Sequence, residues 1–564
     1  MFALRTSSWL GRTVLAVFIF ATPAGPKPVA AQTPKPFPVA PAASAPASFD
    51  HLVDSAIRQE RRLAVLMRNF KPVIETYIQE EKPDTQSPRR DDYFLSRLDL
   101  TGNDPSTRAF VDQESWKETW ERKVIRNPPP FTAAGFAQAL FPDLNHFDRA
   151  NYTFEFVRWE TLGDLRCGII DVKPLENSKN RGFVGRIWVE DQEFNIVRFT
   201  GAYTAKAPSK RSFHFDSWRL NTLGTMWMPA YIYTQESKSQ DPANHDLWFK
   251  AQTRIWGYDL QHAGDHREFA KPLTDNPVWV DSRQHEASQD VSPANSLATS
   301  AYSPEDNVVE RFQVAGLMAP DGAVDAILQA VTNNLLITNK LDIAGVRCRV
   351  LLTTPLESFV VGRTIVLSRG LLDVLPDEAT LAIVLAHELA HIVLRHSLGD
   401  GSTAGLAPPF SDLEIYSRFS FHFTPAQEAD AEKKALELFS NSPYSGKLES
   451  ASLFQQSLAA HSAQLPNLLH ARFGNDFGSG HLTAIPKQLN SRDQVTSARL
   501  DQISALPLGS RIVVDPWSDR IEMLKSQPVR PLSAAEKMPF EVSPFFPFLK
   551  RLNSQERAQA PSKP

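Results

Sequence analysis

The spacing of hydrophobic and polar positions changes along the chain, and each change predicts a different kind of structure. Between residues 50 and about 125, apolar residues recur at helical spacing, which predicts a mostly helical segment. From about 150 to 260, short runs rich in aromatic and β-branched residues alternate with polar or glycine-containing turns, a texture typical of an antiparallel β domain. Residues 49–265 are therefore predicted to form a helical and then β-rich domain.

A second domain is predicted at 303–465, after a polar linker at 266–302. Its pattern indicates a helix at "DGAVDAILQAVTNNLLIT", then strands at "VRCRVLLTT" and "SFVVGRTIVLS". A long helix follows and is expected to end near Leu398, where two glycines act as stop signals. Residues 466–564 are predicted to be a loop-rich extension with one strand at "SRIVVDPW".

The N-terminus has the layout of a secretory signal. Arg5 and Arg12 precede a short apolar run at 14–21, and a small-residue cleavage site closes residues 1–31. The run is shorter than the roughly 20 residues of a spanning helix, so cleavage is expected rather than anchoring. A Pro/Ala-rich linker, predicted to be disordered, follows at 32–48. We therefore expect an exported protein, periplasmic or extracellular, that does not span a membrane once the signal is removed.

Composition narrows the classes of partner. Of 564 residues, 42% are hydrophobic and 22% are charged, which suits a globular chain with buried cores. The net charge of −4 provides no basic field, so nucleic acid is not expected as a partner. The two cysteines, Cys167 and Cys348, fall in different predicted domains. Export permits a disulfide between them, and two buried free thiols are an equally good interpretation.

The segment "AHELAHIVLRH" places polar residues in an otherwise apolar helix. A helix that is apolar all round is buried, and buried polar groups are costly without partners. His387 and His391 are four residues apart, so they share a face and can bind one metal ion. Glu388 lies one step round the helix, within reach of a water at that metal. This is the pattern of His-Glu-x-x-His zinc hydrolases, and it predicts one Zn²⁺ per chain with Glu388 as general base.

A third ligand is expected from "TPAQEADAEKKALELF". Thr424 and Gln427 form a capping box, with Pro425 at the first helical position, so a helix is predicted to begin at Thr424. Glu428 lies in its first turn and is predicted to be the third zinc ligand. Glu432 lies one turn further and is predicted to orient a ligating histidine by a hydrogen bond. Taken alone, the stretch also fits a solvated charged helix.

The segment 303–465 resembles a zinc metallopeptidase family, the forty-eighth of the metallopeptidases. That family includes HtpX-type heat-shock proteases, CAAX prenyl endopeptidases and periplasmic quality-control proteases. Three stretches match in order: "SFVVGRTIVLSRGLL", "HELAHIVLRH" and "EADAEKKALEL". The resemblance implies a gluzincin-type zinc metallopeptidase domain with Glu388 as catalytic base and His387, His391 and Glu428 as ligands. The predicted fold class is thus α+β and multidomain, with the antiparallel β-rich domain preceding the peptidase domain.

The chain departs from the family pattern near the site. The family's second-helix Asp is Glu432 here, and its Asn and Ala before the hairpin Phe are Glu357 and Ser358. His396 is nine residues from His387, about half a turn from the metal face, and is predicted to be structural. Relatives use a later histidine to stabilise the oxyanion, and the candidates here are His461, His470 and His481.

These features predict an exported zinc-dependent metalloendopeptidase that cleaves unfolded or envelope polypeptides. "TIVLS", 364–368, is predicted to be an edge strand to which an extended substrate adds. In a rival hypothesis the protein is a lipid- or protein-binding carrier with a latent or inert peptidase domain. It rests on "GRIWVEDQEFNIVRFTG", which is similar to a hairpin of the outer-membrane lipoprotein carrier type, although any half-buried sheet fits it too. In a third hypothesis, the N-terminal domain covers the peptidase cleft.

Overall fold

The computed structural model describes much of the chain beyond residue 48. The described residues are 49–81, 88–102, 104–110, 132–175, 182–204, 213–222, 226–236, 248–258, 304–397, 415, 419–470, 472–474, 477, 505–509, 511–524 and 539–551. The predicted signal peptide at 1–31 and the linkers at 32–48 and 266–302 lie outside them, and the domain boundaries stay predictions. No helix within these ranges is long and apolar enough to cross a membrane.

The described elements combine helices and strands, in agreement with the predicted α+β class. The helices are α1 (Phe49–Met67), α2 (Ala133–Ala137), α3 (Pro304–Val314), α4 (Ala323–Thr338), α5 (Arg369–Val374), α6 (Glu378–Leu394), α7 (Pro425–Ser440), α8 (Leu448–His461) and α9 (Pro466–Leu469). The strands are β1 (Val73–Glu81), β2 (Pro88–Asp99), β3 (Ser106–Ala109), β4 (Tyr152–Leu162), β5 (Leu165–Pro174), β6 (Phe183–Glu190), β7 (Ile196–Tyr203), β8 (Phe215–Asn221), β9 (Trp227–Glu236), β10 (Phe249–Trp256), β11 (Arg347–Leu351), β12 (Ser358–Val361), β13 (Thr364–Ser368), β14 (Ile512–Val514) and β15 (Ile521–Met523).

Ten strands form one antiparallel sheet, which confirms the predicted β-rich region. Their order is β3-β2-β1-β10-β9-β8-β7-β6-β5-β4, so β10 returns to lie between β1 and β9. The prediction of helix from 50 to 125 is wrong beyond Met67, because β1, β2 and β3 follow α1. Residues of β1 are buried on both faces, so its sequence lacks the alternation that marks a half-buried strand. Residues 111–125 of that prediction lie outside the described part of the chain.

The peptidase-like segment contains a small mixed sheet. Its strand order is β11-β13-β12, with β13 parallel to β11 and antiparallel to β12. The prediction that residues 364–368 form an edge strand is therefore wrong, because β13 lies in the middle. The adjacent hairpin strand β12 is an edge, and it packs against α6. The predicted strand in "SRIVVDPW" is confirmed as β14, which pairs with β15.

The two sheets share one apolar core. Val73, Tyr77 and Trp256 of the large sheet belong to the same continuous buried cluster as Ile365 and Leu389 of the peptidase-like segment.

The two cysteines lie apart in this arrangement. Cys167 on β5 and Cys348 on β11 are both buried and free, so the interpretation as two free thiols holds.

A buried charge network joins the large sheet to the small one. Arg369, at the start of α5, donates from Nη2 to Glu75 Oε2 on β1 at 2.6 Å and from Nη1 to Asp373 Oδ2 at 3.4 Å. Its Nε donates to the carbonyl of Leu352 at 2.9 Å. The Asp373 carboxylate also accepts the backbone N–H groups of Gly509, Arg511 and Ile512. The ion pair of Arg369 and Asp373 therefore links the sheet, the peptidase-like segment and the C-terminal segment.

Arg369→Met should destabilise the whole molecule. It removes the guanidinium that is hydrogen-bonded to the buried carboxylates of Glu75 and Asp373, a change that typically costs about 3–5 kcal/mol. We expect the free energy of unfolding, measured by urea titration with tryptophan fluorescence, to fall by that amount in a single transition. The control is Arg61→Ala, which breaks the exposed ion pair with Asp148 and should cost less than about 1 kcal/mol. Equal effects of the two substitutions would contradict the assignment.

Candidate metal centre

Helix α6, which carries the two histidines, has a capped start and is buried over most of its length. Asp377 caps it, accepting the backbone N–H of Thr380 at 2.8 Å. Every residue from Ala379 to His391 is buried, as the apolar pattern predicts. His387, Glu388 and His391 are therefore held inside the protein on a rigid element.

Helix α7 brings the third predicted ligand to the histidines. It begins as predicted: Thr424 and Gln427 form the capping box, and Pro425 occupies the first turn. Gln427 also donates from its side chain to the carbonyl of Ser397, which links the start of α7 to the residues that follow α6. Glu428 lies in the first turn of α7 and is buried, so the alternative of a solvated helix fails at this residue.

Three ligand atoms converge between α6 and α7. His387 Nε2 lies 3.1 Å from Glu428 Oε2, the two Nε2 atoms of His387 and His391 are 3.3 Å apart, and His391 Nε2 lies 3.6 Å from Glu428 Oε2. A tetrahedral zinc with bonds of about 2.0–2.1 Å places its ligand atoms about 3.3–3.4 Å apart. Within the described residues, this is the one group of His, Cys, Asp and Glu that could hold a metal ion. The donor set fits zinc.

The electrostatics of the three groups suit a metal site. Burial lowers the pKa of His391 to about 4, which keeps this imidazole neutral and able to coordinate. Burial alone would lower the pKa of His387, but its hydrogen bond with Glu428 and the charges of Glu388, Glu428 and Glu432 raise it. Burial raises the pKa of Glu428, and its bonds to His387 and His391 outweigh this and hold the pKa well below its usual range. Glu428 is thus a carboxylate, as a ligand must be.

The predicted general base has a partner that the sequence did not suggest. Ser358 Oγ, on β12, donates to Glu388 Oε1 at 2.6 Å. The hydroxyl fixes the orientation of the carboxylate, and both residues are buried. Because Ser358 replaces the alanine of the family pattern, the departure noted in the sequence becomes a contact with the base.

His391 is held by two residues that sequence reasoning missed. Phe423 stacks on its ring with centroids 3.9 Å apart and planes at 17°. His396 Nδ1 lies 3.1 Å from His391 Nδ1. The expected helix end near Leu398 is wrong: α6 ends at Leu394, and Arg395 adopts the left-handed conformation with φ of 54°. This turn redirects His396 toward the ligand, so its expected position away from the metal face is wrong, whereas its structural role stays a prediction.

Glu432 acts on the site through its charge, which contributes to the raised pKa of His387. The Nδ1 atom of His387 has no hydrogen-bond partner among the described residues, and Nδ1 of His391 faces His396. The predicted hydrogen bond from Glu432 to a ligating histidine therefore stays a prediction. Of the oxyanion candidates, His461 bonds the carbonyl of Ser457 through Nδ1 at 2.7 Å and packs on Phe540. His481 lies outside the described residues.

Glu357, the other departure from the family pattern, anchors a distant segment beside β12. Its Oε1 accepts the backbone N–H of Arg472 at 2.6 Å, and burial raises its pKa to about 7. Gly474 follows against Ser358, so closely that a Cβ there would lie 2.3 Å from the Ser358 carbonyl oxygen. The segment 472–474 therefore lies at the outer side of the edge strand, next to the residue that holds Glu388.

The geometry matches a metal site of the His-Glu-x-x-His type with a glutamate on a second helix as third ligand. Comparison with protein families agrees: the model of peptidase family M48 matches residues 328–411. This match confirms the resemblance inferred from the motifs for residues 328–411. No curated protein matches the sequence.

Solved structures that resemble part of the chain include a lipoprotein-sorting protein domain and a DUF1329 family protein. An outer membrane lipoprotein-sorting protein domain from Vibrio parahaemolyticus is 12% identical, with 36% of this chain and 91% of that chain covered and a TM-score of 0.21. A DUF1329 family protein from Desulfovibrio piger is 10% identical, with 36% and 90% covered and a TM-score of 0.18. Similarity at this level carries no argument about what the large sheet binds.

Glu428→Ala should remove a ligand and abolish tight zinc binding. Changing a residue that only supports a ligand typically costs about 10–100-fold in metal affinity, so loss of the ligand itself should cost more than about 100-fold. The zinc dissociation constant, measured by chelator competition, tests this. Glu437→Gln, at an exposed position of the same helix, should bind zinc like the parent. Retention of tight binding by Glu428→Ala would exclude Glu428 as a ligand.

Proposed function

We propose that the protein is an exported zinc-dependent metalloendopeptidase that cleaves unfolded or envelope polypeptides. The convergence of His387, His391 and Glu428 beside Glu388 carries this proposal. The family match over 328–411 supports the peptide-hydrolysing class. Export rests on the signal-like sequence at 1–31.

In the proposed reaction, His387, His391 and Glu428 hold one zinc ion. Zinc, when bound, is a Lewis acid that makes water more acidic and polarises carbonyl groups. Glu388 accepts the proton of the attacking water and passes it to the leaving amine. Oε1 of Glu388 already accepts the hydrogen bond from Ser358 Oγ, so we assign proton transfer to Oε2. The buried surroundings of the base limit competing water.

We assign substrate binding to β12 rather than to the central strand β13. The carbonyl of Glu357 accepts the N–H of Ser368, so the alternation of an antiparallel pair turns the backbone of Ser358 and Val360 away from β13. An extended peptide adding to this edge would pair beside Glu388. The segment 472–474 lies against the same edge at Ser358, so a peptide must displace it. We therefore propose that residues 472–474 cover this edge; a covering N-terminal domain stays a second hypothesis.

The packing of the large sheet gives little support to the carrier hypothesis, because apolar residues of the chain itself pack on the sheet. Residues of α1 fill an apolar core with strands of the sheet, including Ile170 and Phe199. Phe545 and Leu549 pack with Trp188 and Tyr231 in another apolar cluster of the sheet. Lipid carried through purification of the whole chain would revive that hypothesis. The whole chain is the right material, because the sheet shares its core with the peptidase-like segment.

Glu388→Gln should abolish cleavage without loss of zinc. The amide cannot accept the proton of water, and general-base catalysis is worth at least about 10²-fold in rate. We expect hydrolysis of an unfolded protein substrate by residues 32–564 and none detectable in the variant. Near-equal zinc content in the two proteins is the control, because Glu388 is not a ligand. If both proteins bind zinc and neither cleaves, the proposed activity is wrong.

Gly474→Ala should raise peptidase activity by moving residues 472–474 away from β12. The new methyl group would meet the Ser358 carbonyl oxygen and Phe359 Cβ at 2.3 and 2.5 Å, so the backbone must shift. We expect KM for an unfolded substrate to fall several-fold with unchanged zinc content. Gly446→Ala is the matched control, since nothing lies within 4 Å of a Cβ built there. Unchanged or lower activity in Gly474→Ala would show that this segment does not block the binding edge.

A further inference from the structure

We propose that His396 is a positioning residue of the metal centre: its Nδ1 accepts the Nδ1–H of His391 and thereby fixes the tautomer in which His391 Nε2 faces the metal. This inference rests on the proposed metal site, and it does not depend on peptide hydrolysis. It concerns a residue whose position in the sequence places it off the metal face.

The direction of the hydrogen bond follows from the position of the ligand atoms. His391 Nε2 points at His387 Nε2 and Glu428 Oε2, at 3.3 and 3.6 Å. To bind a metal through Nε2, the neutral ring must carry its proton on Nδ1. That proton has an acceptor at 3.1 Å in His396 Nδ1. In the reverse direction, His391 would carry its proton on Nε2, where it would exclude the metal.

The local backbone explains how His396 reaches this position. On a continuing helix, five residues would carry it about 140° round the axis from His391. Instead, Arg395 takes a positive φ of 54°, and the N–H of His396 bonds the carbonyl of His391 at 3.0 Å. The N–H of Arg395 bonds the carbonyl of Ile392 at 3.1 Å, which completes a Schellman motif. The turn folds the imidazole of His396 back over the last turn of α6.

The two ligating histidines are supported differently. His391 is held on its ring face by Phe423 and at Nδ1 by His396. His387 Nδ1 has no hydrogen-bond partner among the described residues. Outer hydrogen bonds orient a metal-binding imidazole and raise its basicity. In the described structure this support comes to His391 from His396, so zinc affinity should depend on His396.

Two substitutions at His396 separate the hydrogen bond from the bulk of the ring. His396→Asn keeps an acceptor, because the amide Oδ1 takes the place of Nδ1, whereas His396→Leu provides none. We expect His396→Leu to weaken zinc binding about 10–100-fold, as measured by chelator competition on the full chain. His396→Asn should stay within about threefold of the parent. Equal affinity of His396→Leu and the parent, or equal weakening in both variants, would overturn the proposal.

A second pair of variants tests the turn without touching the histidine. Arg395→Gly suits a positive φ and should keep the parent's zinc affinity. Arg395→Val resists the left-handed conformation, because a β-branched residue there is strained, and should weaken zinc binding as His396→Leu does. Unchanged melting temperatures of the metal-free variants would show that they fold, since His396 is only partly buried. A parent-like affinity in Arg395→Val would contradict the role of the turn.

These measurements remain distinct from the test of peptidase activity. If zinc binding depends on His396 while the parent fails to cleave any substrate, the positioning role stands and the proposed hydrolysis falls. If the parent binds no zinc, both fall together. If the parent cleaves and His396→Leu keeps full zinc affinity, the proposed function stands and the positioning role is wrong.

Discussion

The structure depends most on the buried contact of Arg369 with Glu75 and Asp373. Arg369 is fully buried, and Glu75 is 1% exposed, so neither charge has water as an alternative partner. Buried charges are tolerated only when they are paired and hydrogen-bonded, so the three elements that supply these groups must come together. Those elements are β1 of the large sheet, α5 of the peptidase-like segment and, through the backbone bonds of Asp373, the segment at 509–512. A fold with this contact does not divide cleanly into an independent sheet and an independent enzyme.

The same contact is connected to Glu388, the proposed catalytic base, by a short series of hydrogen bonds. Arg369 directly follows Ser368, which caps α5 and accepts the N–H of Glu357 at its Oγ at 3.0 Å. The next residue, Ser358, donates to Glu388. A displacement of Arg369 would therefore shift β12 and reorient the carboxylate of Glu388. This provides a physical reason for a peptidase-like segment to retain a large sheet that lies beyond its own motifs.

Much of the candidate site could be predicted from local sequence, because the interactions that define it are local. Helical spacing placed His387 and His391 on one face, and the capping box placed Glu428 in the first turn of α7. The failures come from two other causes. The position of β13 within its sheet depends on pairing with β11 across 12 intervening residues, which no local pattern records. The turn at Arg395 uses a positive φ on a residue other than glycine, and no sequence rule anticipates this.

Because the site is buried, any hydrolytic function requires that the residues covering it first move away. His387, Glu388, His391 and Glu428 are each exposed by 5% or less, so a peptide does not reach them in this arrangement. The residues that cover β12 make few polar contacts and many aromatic ones. The rings of Phe359 and Phe421 stack with centroids 4.7 Å apart, and the N–H of Phe421 donates to the carbonyl of Phe473. An unfolded polypeptide offers apolar side chains of the same kind, together with a continuous row of backbone donors and acceptors. A substrate can therefore replace the covering segment with contacts of the same chemistry, whereas a small polar molecule cannot, and this favours polypeptide as the substrate of such a site.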